Sequence, residues 1–131
     1  MASILRSLGA RLGAALLALT LVMAAGVLPS AAAEVLQVRT ATVLQVGDGN
    51  RNYAVELACI RVAEADQQAA QAWLRQELPR RRRVNLRPLG QREGVLQARV
   101  RPLGSPDDLG TGLIAAGLAV PDPAAPVGCP A

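Results

Sequence analysis

The first 33 residues constrain the fold most, because they have the pattern of an export signal and leave 98 of the 131 residues for a folded domain. Arg6 and Arg11 lie near the start, an apolar run of 17 residues covers 12–28, and small residues end at Ala33. A basic end, an apolar middle and a small-residue end are typical of a cleaved secretory signal. We therefore expect an exported chain that starts at Glu34 and is secreted, periplasmic or lumenal. The alternative is an uncleaved membrane anchor, since 17 residues reach the short limit of a transmembrane helix.

The composition of residues 34–131 excludes several kinds of site. This part contains no histidine and no phenylalanine, and it has one tyrosine and one tryptophan. Histidine-based acid–base catalysis, Ser-His-Asp triads and histidine metal sites are therefore excluded. Aromatic platforms for stacking nucleic-acid bases have almost no residues from which to form. Twelve arginines and ten acids give a net charge of +2, which is a mild bias and does not by itself indicate a nucleic-acid-binding protein.

Two cysteines, Cys59 and Cys129, follow the signal. An even cysteine count in an exported chain favours a disulfide, because the compartments outside the cytoplasm are oxidising. Such a bridge would contribute about 4 kcal/mol to the stability of a small domain in the chain-entropy treatment. The alternative is a pair of unpaired thiols, with Cys59 acting as a small core residue of a strand.

The first half of the domain predicts two strands and a helix. Alternating Val- and Thr-rich residues predict one long strand over 34–46, and Gly and Asn in 47–50 predict a turn. A second strand is predicted over 52–60, with Glu56 as the one charge on an apolar face. Apolar residues at helical spacing predict a helix over 64–79 that Pro79 ends.

The second half predicts a hairpin and a short helix. Strand-like segments at 84–89 and 95–103 flank a turn at 90–94, which together predict a β-hairpin. Ser105 followed by Pro106 predicts the start of an apolar helix that two glycines weaken. The Pro- and Ala-rich tail, residues 122–131, predicts no regular structure, and Cys129 is expected to hold it to the domain.

The order of these elements predicts the fold class. Strand, strand, helix, hairpin, helix and tail suit a mainly β domain with two helices, a small OB-fold-like Greek-key barrel over 34–121. A generic α+β layer is the alternative, because the same elements can also form one open sheet with helices on it.

Four strings in this order resemble the thermonuclease family, the staphylococcal nuclease-like domains. "TATVLQVGDGN" resembles the opening strand and "DGD" turn of that family, and "VELACIRVAE" its "VRLxGIDAPE" string. "REGVLQARV" is similar to the "YGRxLAxV" hairpin, and "GLIAAGLAV" to the "LVxxGLAxV" second helix. The resemblance covers most of residues 38–121 and implies an OB fold. It also implies calcium-dependent cleavage of phosphodiesters by metal-binding carboxylates, two arginines and a glutamate.

The resemblance carries over few of the metal-binding groups. The first Asp of "DGD" is present as Asp48, but the second, a direct metal ligand, falls on Asn50. The other metal carboxylate falls on Arg61, which reverses the charge, and the glutamate is retained as Glu64. Because carboxylate oxygens are the ligands that calcium prefers, this set predicts a poor cation site.

The two arginines that the resemblance implies are both replaced. One falls on Glu56 and the other on Val95, so the groups that stabilise charge on the phosphoryl oxygens are missing. A salt bridge between Glu56 and Arg61 is sterically conceivable. Only residues 51–54 separate the "DGN" turn from the next string, so one family hairpin is expected to be lost or two strands to be fused.

These substitutions predict an exported, nuclease-like domain that has lost its calcium-dependent activity and acts as a binding or structural module, with no cofactor. One alternative is an active nuclease with a rearranged site, in which Glu64 is catalytic and Asp48 binds calcium. Another is a basic module that binds nucleic acid or a further polyanion through Arg80, Arg81, Arg82 and Arg83. The plainer interpretations are a helix-start acid for Glu64, a turn residue for Asp48 and a solvated surface for the arginine run.

Overall fold

The computed structural model describes residues 32–130, which fold as one unit. The expected signal lies outside these residues except for Ala32 and Ala33, and Ala33 is the first residue of the first strand. Among the described residues, no helix has the length and apolar character needed to cross a membrane. The elements in chain order are β1 (Ala33–Val38), β2 (Val43–Asp48), β3 (Arg51–Leu57), β4 (Ile60–Arg61), a 3₁₀ turn (Glu64–Asp66), α1 (Gln67–Glu77), β5 (Arg83–Arg92), β6 (Val95–Pro102), α2 (Leu109–Ala115) and β7 (Val120–Pro121).

Five strands close into a barrel in the order β1-β2-β3-β6-β5, which confirms the predicted OB-fold-like class. β3 and β6 are parallel, and every other neighbouring pair of the barrel is antiparallel. The helix α1 falls between the third and fourth barrel strands in chain order, as an OB-type Greek key requires. The short strands β4 and β7 pair separately, outside the barrel.

The prediction of one long strand over 34–46 is wrong, because this segment is a hairpin of β1 and β2. The turn forms at Thr40, whose hydroxyl accepts hydrogen bonds from the N–H groups of Thr42 at 3.2 Å and Val43 at 3.0 Å. Ala41 fills the inner side of the turn and is 1% exposed. A threonine hydroxyl that bonds nearby N–H groups competes with strand pairing, and the alternation of residues alone does not reveal this competition.

Between the "DGN" turn and Leu57 the chain forms the single strand β3, which fits the expectation of a lost hairpin or two fused strands at this place. The β1–β2 hairpin lies before that turn, so residues 33–57 still supply three strands of the barrel. The segment 40–50, which resembles the opening strand and turn of the family, supplies the second strand and the turn before the third. That turn is tight, because Asp48 pairs directly with Arg51 and Gly49 takes a φ of +63°.

The second predicted strand, 52–60, ends earlier than expected. β3 stops at Leu57, and Cys59 turns the chain with a φ of +76° before the two residues of β4. A positive φ is uncommon for a residue other than glycine. The bend explains why both Val55 and Ile60 are buried, although strict alternation would place them on opposite faces.

The predicted helix and hairpin of the central region are confirmed. Leu74 and Ala70 of α1 are fully buried, and Leu78 closes the helix just before Pro79. β5 and β6 form the hairpin, with Glu93 and Gly94 both at positive φ in its two-residue turn.

The second helix starts three residues later than predicted. Asp108, and not Ser105, caps α2, because its Oδ1 accepts the Thr111 N–H at 2.8 Å. The helix lies close to its neighbours at its two glycines. A Cβ added at Gly112 would lie 2.6 Å from the ring of Trp73, and one at Gly110 would lie 3.0 Å from Ile60. These glycines therefore permit packing that a larger residue would block.

Candidate functional site

The resemblance implies a catalytic centre around Glu56, and the structure surrounds this side chain with neutralising partners. Glu56 lies near the end of β3, where its side chain is 24% exposed. Its Oε1 lies 3.4 Å from Nη1 of Arg92 and accepts a hydrogen bond from Nε2 of Gln97 at 3.3 Å. The conceived salt bridge of Glu56 with Arg61 is therefore wrong, because Arg92 takes this position.

Asp122 extends this group to the C-terminal tail. Its Oδ2 lies 3.9 Å from Nη2 of Arg92, and its backbone N–H donates to the carbonyl of Cys59 at 3.0 Å. We call Glu56, Arg92, Gln97 and Asp122 the Arg92 cluster. Because one guanidinium stands between two carboxylates, the cluster ties the barrel to the tail and leaves neither carboxylate free of a cationic neighbour.

Arg61 and Glu64 stay outside the Arg92 cluster. Both side chains are exposed, and neither makes a hydrogen bond or an ion pair with another described side chain. Glu64 opens the 3₁₀ turn that leads into α1, in the first turn, where a carboxylate interacts favourably with the helix dipole. This position accounts for Glu64 without a catalytic role.

Asp48 lies at the opposite end of β3 from Glu64. It pairs with Arg51, the first residue of β3, whereas Glu64 follows the last residue of β3 and the short β4. A strand of this length spans about 20 Å, and this length of β3 separates Asp48 from the segment that leads to Glu64. Between residues 32 and 130, no three Asp, Glu or Cys side chains converge as a metal site.

The surroundings of Asp48 form an open cleft of about 810 Å³ between the start of β3 and the β5–β6 hairpin. Tyr53 lies in its wall, with the guanidinium of Arg51 at 6.0 Å from the ring centroid, within cation–π range. Partial burial, with the charge of Asp48, raises the pKa of the Tyr53 hydroxyl against the opposing effect of Arg51. Tyr53 is therefore a neutral hydrogen-bonding group at physiological pH.

The arginine run does not act as one patch, because each member lies in a different environment. Arg81 pairs with Glu34 at 3.4 Å, and Nη2 of Arg82 donates to the carbonyl of Leu103 at 2.9 Å. Nε of Arg82 is buried without a hydrogen-bond partner among the described residues. Arg80 is exposed in the turn, and Arg83 is the first residue of β5.

The hairpin brings Arg83 of this run together with three arginines that sequence reasoning did not group with it. Val84, Ala98 and Val100 point into the barrel and are fully buried, so the alternate residues of β5 and β6 point outward. The outward residues include four arginines, which we call the arginine face: Arg83, Arg87, Arg99 and Arg101. The signal for this face in the sequence was the even spacing of arginines in the hairpin. Arg83 and Arg87 are four residues apart in one strand, and Arg99 and Arg101 are two residues apart in the other.

One arginine of this face is bound by α2. Nε and Nη2 of Arg99 lie 2.8 and 2.7 Å from Oδ2 of Asp108, while Oδ1 of Asp108 caps the helix. Burial alone would raise the pKa of Asp108, but the hydrogen bonds from Thr111 and Arg99 outweigh it, and the pKa is lowered. The ionised Asp108 thus joins the hairpin to α2.

The two cysteines form the predicted disulfide, with their Cα atoms 5.4 Å apart. The bridge fixes the tail beside the bend after β3, and Gly128 lies against Leu89 of β5. The disulfide makes Cys59 an anchor for the tail. No protein-family model matches the chain, and no curated protein matches it.

Proposed function

We propose that this chain is an exported, nuclease-like OB-fold domain that has no calcium-dependent phosphodiesterase activity and acts as a binding or structural module. The observation that carries the proposal is the separation of its carboxylates. Glu56 and Asp122 are held by Arg92, Glu64 stands alone at the start of α1, and Asp48 lies at the far end of β3.

Calcium binding in proteins needs six to eight oxygen ligands, several of them from carboxylates that converge. In the Arg92 cluster, a cation would have to displace a guanidinium that already neutralises the two acids. It would then meet this fixed positive charge at short range, where the repulsion costs several kcal/mol at a partly buried site. The local electrostatics therefore oppose a calcium-bound phosphoryl group beside Glu56.

Export is supported by the signal-like residues 1–33 and by the disulfide, which is typical of oxidising compartments. The intact mass of the exported protein tests this part of the proposal. A chain that begins at Glu34 is expected, whereas a full-length chain in the membrane fraction would support the anchored alternative.

The central test is a cleavage assay on single-stranded DNA and RNA, with calcium and with a chelator. We expect no difference between the two conditions and no saturable heat when calcium is titrated into the protein. The matched variants are Glu64→Gln and Glu77→Gln, since both acids are exposed and flank the same helix. Calcium-dependent cleavage that Glu64→Gln abolishes and Glu77→Gln preserves would refute the proposal and establish the rearranged nuclease.

A further inference from the structure

The charges of the described chain are strongly segregated. Residues 80–101 contain eight arginines and one acid, Glu93, for a net charge of +7. The remainder of residues 32–130 contains four arginines and nine acids, for a net charge of −5. The small net charge of the domain therefore results from a basic hairpin and an acidic remainder whose charges nearly cancel. The basic hairpin is a surface able to attract and orient an anionic partner.

The arginine face concentrates this charge on the outer surface of β5 and β6. Arg87 lies directly opposite Arg99, and Arg101 lies opposite Asn85, two cross-strand pairs further along and on the same face. Like charges directly opposite each other destabilise a sheet. Asp108 neutralises Arg99, but Arg83, Arg87 and Arg101 make no hydrogen bond or ion pair with any described side chain.

A groove of about 220 Å³ separates this face from the loop before α2. Its walls carry Arg87, Arg99 and Arg101 on the sheet side, and Asp107 and Asp108 on the loop side. Asp108 is occupied by Arg99, and Asp107 makes no ion pair within residues 32–130. Arg83, the first residue of β5, lies opposite Glu34 of β1, whose side chain pairs with Arg81. The four arginines of the face therefore exceed Asp107 and Asp108 by two positive charges.

We propose that the arginine face binds an acidic polysaccharide along the length of the β5–β6 hairpin. Arg83 and Arg87 are four residues apart on one strand, about 13 Å, with Arg101 across the ladder between them. Arginines spread along this length of strand suit successive anionic groups of a polymer better than one small anion. The planar guanidinium group of each arginine can bind a carboxylate or a sulfate through two parallel hydrogen bonds.

The absence of aromatic residues from this face favours a polysaccharide over a single-stranded nucleic acid. Proteins that bind single-stranded nucleic acids combine basic grooves with aromatic side chains on which the bases stack. The described chain has two aromatic residues, and neither lies on this face: Tyr53 lines the cleft beside β3, and Trp73 packs against Gly112. The face can therefore recognise charge and spacing without reading bases.

The inference rests on the proposed function as a binding module. Its test is designed so that a failure of this inference and a failure of the proposed function give different results. The full chain, produced through an oxidising compartment, is titrated with heparin, polygalacturonate and an oligothymidylate strand at several salt concentrations. A chelator is present throughout, so that calcium-dependent cleavage cannot alter the ligands. Cleavage in the calcium assay would refute the non-catalytic proposal and leave these binding measurements valid.

The test variant is Arg83→Gln/Arg87→Gln/Arg101→Gln, and the matched control is Arg39→Gln/Arg61→Gln/Arg75→Gln. All six arginines are exposed, and both variants lose three charges. We expect the test variant to bind both polysaccharides at least about tenfold more weakly at low salt, with a salt slope lowered by about 1 for each arginine removed. The control is expected to stay within a factor of about three of the wild type.

Three results would overturn the proposal. Equal losses in the two variants would mean that net charge, and not this face, governs binding. Unchanged binding by the test variant would place the ligand elsewhere, provided that both variants unfold cooperatively. Tighter binding of oligothymidylate than of both polysaccharides at equal salt would assign the face to nucleic acid.

Discussion

Removal of the Cys59–Cys129 disulfide is expected to destabilise this domain more than any change to its surface charges. The bridge joins two cysteines 70 residues apart in sequence. In the chain-entropy treatment, a cross-link of this length lowers the entropy of the unfolded chain by about 15 cal/mol/K, or about 4 kcal/mol at 25 °C. Small domains have about 5–15 kcal/mol of total stability, so the double variant Cys59→Ser/Cys129→Ser should lose a large fraction of it.

The folded state should survive this substitution, because other contacts hold the same segments. The Asp122 N–H still donates to the carbonyl of residue 59 at 3.0 Å, and Gly128 still lies against Leu89. The effect should therefore arise mainly in the unfolded state, which expands when the cross-link is removed. A larger dependence of stability on urea concentration is expected for the same reason.

Urea and thermal unfolding of the oxidised wild type and the double variant measure this effect. For a domain of this size, a loss of about 4 kcal/mol lowers Tm by roughly 16–32 °C. The wild type in a reducing agent should unfold like the variant, and the reducing agent should not change the variant itself. Equal midpoints for the variant and the oxidised wild type would refute the reasoning, as would two titratable thiols in the native wild-type protein.

Two further predictions concern α2. Asp108→Ala should lower the free energy of unfolding by about 1–2 kcal/mol at neutral pH, because the helix cap is lost. Since the folded-state pKa of Asp108 is lowered, the difference in stability from the wild type should shrink as the pH falls below about 4. A pH-independent difference in urea midpoints would contradict the role of its charge. Gly112→Ala should destabilise by about 1–3 kcal/mol despite the better helix propensity of alanine, because the new methyl group meets the ring of Trp73. Gly90→Ala, where no atom lies within 4 Å of the added Cβ, is the control, and a stabilised Gly112→Ala protein would show that the helices separate freely.

Much of the fold was predictable because its signals are local. Residue alternation, the apolar stripe around Leu74 and the glycine-containing turns gave the barrel class, the helix and the hairpin. The turn at Thr40 was not predictable in this way, since the threonine hydroxyl bonds the N–H groups of Thr42 and Val43 inside a pattern that otherwise suits one strand.

The candidate sites were less predictable, because side-chain partners are distant in sequence. A salt bridge of Glu56 with Arg61, five residues away, was conceivable from the sequence, but the actual partner of Glu56 is Arg92. The run Arg80–Arg83 was an alternative candidate for a polyanion-binding patch, but Arg81 and Arg82 are held by Glu34 and the carbonyl of Leu103. Register across β5 and β6 was needed to bring Arg83 and Arg87 beside Arg101.

The sequence by itself determined the class of the domain, the pairing of its two cysteines and the absence of histidine chemistry. The class of the domain depends on periodicity within single elements, where each residue constrains only its neighbours. The cysteine pairing and the lack of histidine chemistry depend on composition. Tertiary structure alone decided which charges meet. Closure of the barrel brings Arg92 to Glu56, and the register of one hairpin aligns the arginines into a face, because electrostatic pairing depends on distances of a few ångströms between segments that are far apart along the chain.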